Sequence, residues 1–73
     1  MNINMDTNIN YIDDEAGTQL VVELIYNYVY GHIDSRAHRS QAQTEIYDWL
    51  VNGSAYDCTV ADLVAEWREY SGE

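Results

Sequence analysis

The chain has 73 residues, of which thirteen are Asp or Glu, three are Arg and none is Lys, so the formal net charge is −10. Charge of this sign repels nucleic acid and anionic membrane and attracts basic protein surfaces. Seven Tyr together with Trp49 and Trp67 exclude the disordered class, because acidic disordered segments are poor in aromatics.

Residues 1–12 are rich in Asn, with Ile3, Met5, Ile9, Tyr11 and Ile12 scattered among them. The partial alternation allows a short strand. The preferred reading is a flexible or loosely packed arm that lays one or two apolar side chains on the core, as termini order poorly unless tied down. The segment MNINMDTNIN has no basic n-region and no apolar h-region, so it is not read as a signal peptide.

The spacing predicts a first helix over about residues 14–30, opened by Asp13 and Asp14 as cap and first-turn acids. Leu20, Leu24, Tyr28, Val21, Ile25, Val29 and Val22 fill one broad arc at about 100° per residue, with Glu23 and Asn27 opposite. The β-branched and aromatic content also suits a strand, but the helical arc is cleaner than any alternation. Gly31 is expected to stop this helix in a left-handed conformation.

A second helix is expected over about 36–51, capped by Asp34 or Ser35, or by Ser40 with Gln43. Ala42, Ile46, Trp49 and Leu50 give it a narrow apolar stripe. Asn52-Gly53-Ser54 matches a glycosylation acceptor but reads as the turn that ends it. The third helix, about 60–70, is capped by Thr59 with Asp62 in a capping-box position. Val60, Leu63, Val64, Trp67 and Tyr70 form its apolar face, and Ser71-Gly72 ends it. Residues 13–73 are therefore expected to form one helical domain, and the fold class is all-α, a compact three-helix bundle with a short N-terminal arm.

No residue pattern supports catalysis. Paired carboxylates need a cleft for glycosidase-type work, and no phosphate-binding glycine loop is present. His32, Asp34 and His38 straddle the helix break at Gly31 and lack the i, i+4 spacing of metal ligands on one helix. Cys58 cannot form an intrachain disulfide, which suits a reducing, cytoplasmic setting; it reads as a small, partly buried thiol. The chain is thus read as a binding protein, not an enzyme, with no cofactor and no metal. No apolar run approaches the roughly 18 residues of a membrane span.

The acids of the third helix form a row. Asp62, Glu66, Glu69 and Glu73 follow 4-3-4 spacing and fall within about 60° of one another. Neighbours in such a row sit roughly 5–6 Å apart, close to the charge spacing along a nucleic-acid strand. Glu45 and Asp48 on the second helix and Glu23 on the first add to a distributed acidic surface. Asp57 and the acids that open the first helix extend it. Tyr26 and Tyr30 lie beside Glu23, away from the Leu20/Leu24 stripe, and are expected to be exposed anchors of an interface. Tyr47 is expected to pack against a helix end or the arm.

In size, acidity and lack of lysine the chain resembles the small phage-encoded inhibitors of bacterial defence, namely anti-CRISPR proteins and other DNA mimics. The resemblance rests on the character of the whole chain, not on a motif, and assigns no site residue. It implies an inhibitor that occupies a basic nucleic-acid-binding surface, such as that of a CRISPR effector, in the cytoplasm of a bacterial host. The alternative is a regulatory or antitoxin-like interaction module that binds through its hydrophobic and tyrosine surface, alone or as a homodimer. A DNA-binding helix-turn-helix domain is disfavoured because Asp62, Glu66 and Glu69 on the third helix would repel phosphates. Sequence leaves the oligomeric state open.

Overall fold

Asp14 opens the first helix, α1 (Glu15–Tyr30), by accepting a 2.8 Å hydrogen bond from the Gly17 N–H. The computed structural model describes residues 3–12, 14–53 and 58–72. Asp13, Asp57 and Glu73, all named above, lie outside the described residues, as does Ser54 of the expected turn. α2 (Arg36–Gly53), which continues through Asn52 and Gly53 instead of turning after Val51 as expected, and α3 (Val60–Ser71) complete an all-α three-helix bundle. Among the described residues the only β-type pairing is one isolated antiparallel bridge between Asn8 and Thr59.

α1 is the hub, because both α2 and α3 pack on it. Its buried positions run from Gly17 through Val21, Ile25, Val29, Val22 and Tyr26 to Tyr30, an arc of about 220° at 100° per residue. The expected arc is thus corrected by a rotation of about 70°. Leu20 and Tyr28, expected inside, are 39% and 60% exposed, whereas Tyr26 and Tyr30 are 3% and 5% exposed. The reason is tertiary: the other two helices seat over the Tyr26/Tyr30 edge. Tyr28 instead lies under the guanidinium of Arg68, 5.5 Å from its ring centroid.

α2 begins after Ser35, whose Oγ accepts the His38 N–H at 3.2 Å. This settles the choice among Asp34, Ser35 and Ser40. It buries only Ala42, Ile46 and Leu50, one residue per turn, so its remaining surface faces water or the neighbouring helix. α3 opens with a reciprocal box in which Thr59 Oγ1 accepts from the Asp62 N–H and Asp62 Oδ2 accepts from the Thr59 N–H, both at 3.2 Å. Val60, Leu63, Val64 and Trp67 are buried against α1, but Tyr70, expected on that face, is 70% exposed. Gly72, at φ 80°, ends the helix and donates to the Arg68 carbonyl.

The N-terminal segment does more than lay side chains on the core. The Val60 and Ala61 N–H groups, which have no partner within α3, donate to the carbonyls of Thr7 and Met5 at 3.1 and 3.0 Å. The Ile9 N–H in turn donates to the Cys58 carbonyl at 2.9 Å, and Ile3, Met5, Ile9 and Ile12 pack against the core cluster. Residues 3–12 thereby act as a backbone cap for the third helix.

Gly31 follows α1 at φ −61°, ψ −17°, a right-handed conformation and not the left-handed one expected. Its glycine identity has another cause: a Cβ there would stand 2.3 Å from the Asn27 carbonyl oxygen. Gly31→Ala is therefore expected to cost about 1–3 kcal/mol of stability. Gly53→Ala, where a Cβ would meet nothing within 4 Å, should gain up to about 1 kcal/mol. Urea unfolding of the two variants beside the parent checks the opposite signs.

Candidate functional site

α2 and α3 both lean on α1, yet their backbones make little contact with each other. The gap between them forms an open cleft of about 850 Å³. Its floor is the Tyr30–Trp67 pair, in which the buried indole Nε1–H of Trp67 donates to the Tyr30 hydroxyl at 3.0 Å. Trp49 from α2 and Tyr70 from α3 form the upper walls. Their rings lie 6.1 Å apart, and each stands near the Trp67 ring, Trp49 edge-on at 5.4 Å and Tyr70 tilted at 5.7 Å. Four aromatic side chains from three helices therefore cluster together, with Tyr70 exposed and Trp49 half-buried above the buried Tyr30 and Trp67.

Carboxylates stand on both sides of that surface. Glu45 and Asp48, one turn or less before Trp49 on α2, line the cleft itself. Glu66 and Glu69 on α3 line a second, shallower depression that shares Trp49 and Tyr70 with the first. The acidic rows of α2 and α3 thus meet at the Trp49–Tyr70 contact. All four acids are exposed, and none takes part in an ion pair among the described residues, where Arg39–Glu23 at 3.3 Å is the single such pair.

The other expected site residues fall elsewhere. Asp62 is exposed at the start of the α3 row, but its carboxylate is committed to the Thr59 cap. Glu23 lies on the α1–α2 side, paired with Arg39. The expectation of exposed Tyr26 and Tyr30 is overturned: both are core residues. The Tyr26 hydroxyl meets His38 Nδ1 at 3.3 Å, and His38 also stands edge-on to Tyr30 at 5.0 Å. Buried, these two tyrosines offer a partner no contact surface, so the interaction-module alternative loses them and keeps its hydrophobic faces. Tyr47 is half-buried and donates to Glu15 Oε2 at 3.0 Å, a bond that raises its pKa above the usual tyrosine value.

Trp49 and Tyr70 are the residues missed as candidates. Both continue the apolar spacing of their helices and so read as core residues. The available signal is their neighbours in sequence: Asp48 directly precedes Trp49, and Glu69 directly precedes Tyr70. The chain matches no family model, no curated protein and no solved structure.

Tyr30→Phe leaves the Trp67 indole N–H buried without its acceptor and is expected to destabilise the fold by about 1–3 kcal/mol, read by thermal or urea unfolding. Within the α3 row, Asp62→Ala should cost about 0.3–1.5 kcal/mol through the lost cap. Glu66→Ala should stay within about 0.5 kcal/mol of the parent. The same unfolding measurement separates the structural acid from the surface ones.

Proposed function

We propose that this chain is an acidic inhibitor that occupies the basic, nucleic-acid-binding surface of a target protein, in the manner implied by its resemblance to anti-CRISPR and other DNA-mimic proteins. The observation that carries the reading is the convergence of Glu45, Asp48, Glu66 and Glu69 around one exposed aromatic contact, with no cation of the chain paired to them among the described residues. An acidic face that served solvation alone would normally interleave both signs of charge. Here the nearest cation on α3, Arg68, is drawn off to stack on Tyr28.

The physical roles divide between charge and ring. Exposed carboxylates steer a cationic surface toward the face and suppress acidic competitors, which acts mainly on the association rate and fades with salt. Exposed aromatic surface supplies the short-range anchor that slows dissociation. A target whose groove is lined with Lys and Arg for phosphate contacts offers what this face lacks. Catalysis has no role in this reading, since blocking access requires only occupancy.

The test is displacement of fluorescent duplex DNA from a panel of purified bacterial nucleases and CRISPR effectors. At least one should release DNA to the parent chain. The Glu66→Lys/Glu69→Lys variant, which spares the Asp62 cap, should lose about tenfold or more in potency. Potency should also fall as salt rises from about 50 to 500 mM. Displacement from none of the panel, or displacement indifferent to both salt and charge reversal, would contradict the proposal.

A further inference from the structure

We propose that the cleft between α2 and α3 is a seat for an arginine side chain presented by the basic partner. This deepens the reading of the acidic face as a docking surface and rests on it. An arginine asks for two things at once: an aromatic plane for its flat guanidinium and carboxylates at the edge of that plane for its N–H donors. The cleft offers both. Tyr70 is 70% exposed beside the half-buried Trp49, and Glu45 and Asp48 line the same cavity.

The occupant comes from outside the chain. Its three arginines are placed elsewhere: Arg39 lies by Glu23 and 6.0 Å over the Tyr26 ring, Arg68 lies over Tyr28, and Arg36 borders the α1–α2 turn. No lysine exists to fill the cleft. A second copy of this chain is a poor occupant, because two molecules of net charge −10 would bring like-charged rims together. The chain's own contacts carry the same chemistry, since Arg39 and Arg68 lie over the Tyr26 and Tyr28 rings at 6.0 and 5.5 Å. Arginine is favoured over lysine because its guanidinium is less strongly hydrated and stacks, whereas an ammonium remains a point charge that the acids alone would satisfy.

The experiment compares a soluble peptide of alternating Gly and Arg with its Gly-Lys counterpart of equal length and charge. Binding to the whole chain is followed at low salt by tryptophan fluorescence. Variants are Tyr70→Ala, whose circular dichroism should match the parent because the side chain is mostly exposed, and Glu45→Gln/Asp48→Asn, which changes only surface carboxylates. The arginine peptide should bind about threefold or more tighter than the lysine peptide. Tyr70→Ala should abolish that preference while leaving the salt-sensitive attraction common to both peptides. Glu45→Gln/Asp48→Asn should weaken the arginine peptide more than the lysine one. Equal affinities for the two peptides in the parent, or a preference that survives both variants, would overturn the arginine seat and leave the acidic-inhibitor reading intact. Absence of binding by either peptide at low salt would remove both.

Discussion

The hydrogen bond from the Trp67 indole to the Tyr30 hydroxyl, 3.0 Å long and buried, is the contact on which the rest of the molecule depends. Tyr30 ends α1 and Trp67 sits two turns into α3, so the bond sets how far along α1 the third helix can seat. A buried donor in a bundle this small has few alternative partners, and losing its acceptor exposes the full desolvation cost of the N–H. The same pair is the floor on which Trp49 and Tyr70 stand. Stability and the shape of the cleft therefore share a single element.

A second constraint comes from the size of the chain. With only Ala42, Ile46 and Leu50 buried on α2 and four residues on α3, neither helix brings enough apolar surface to hold the other. Both must use α1, which is why α1 buries about 220° of its circumference and why a gap is left between its two clients. The gap is bridged by rings and not by backbone packing. An open aromatic cleft is thus a consequence of building a bundle around one strongly apolar helix. Glu45 and Asp48 stand at its rim.

Locally encoded features were legible in the sequence, and non-local ones were not. The Thr59–Asp62 box and the end of α3 at Gly72 each depend on residues within one turn and are found where the spacing places them, and the Ala42, Ile46 and Leu50 part of the α2 stripe is buried as its spacing predicts. On α1 the apolar residues from Leu20 round to Tyr30 cover about 280°. No polar boundary marks which part of so wide an arc is buried, and only the docking of α2 and α3 decides that Tyr26 and Tyr30 go in while Leu20 and Tyr28 stay out. The N-terminal cap on α3 was illegible for a related reason: it is made by the carbonyls of Met5 and Thr7, and backbone groups leave no side-chain pattern. At the site, the acids Glu45, Asp48, Glu66 and Glu69 were identified from sequence, but their meeting point at Trp49 and Tyr70 depends on the spread of two helices, which no single-helix periodicity carries.

The proposed docking surface for a basic partner is the acids and rings of α2 and α3, and no other face. A titration of the isotope-labelled chain with an arginine-rich peptide, followed by amide and indole NMR shifts, locates that surface residue by residue. Shifts concentrated in residues 45–53 and 66–71, with the Trp49 indole moving and the buried Trp67 indole keeping its bond to Tyr30, are the expected result. Shifts centred on the exposed Leu20–Tyr28 side of α1, or spread evenly over all exposed acids, would contradict it.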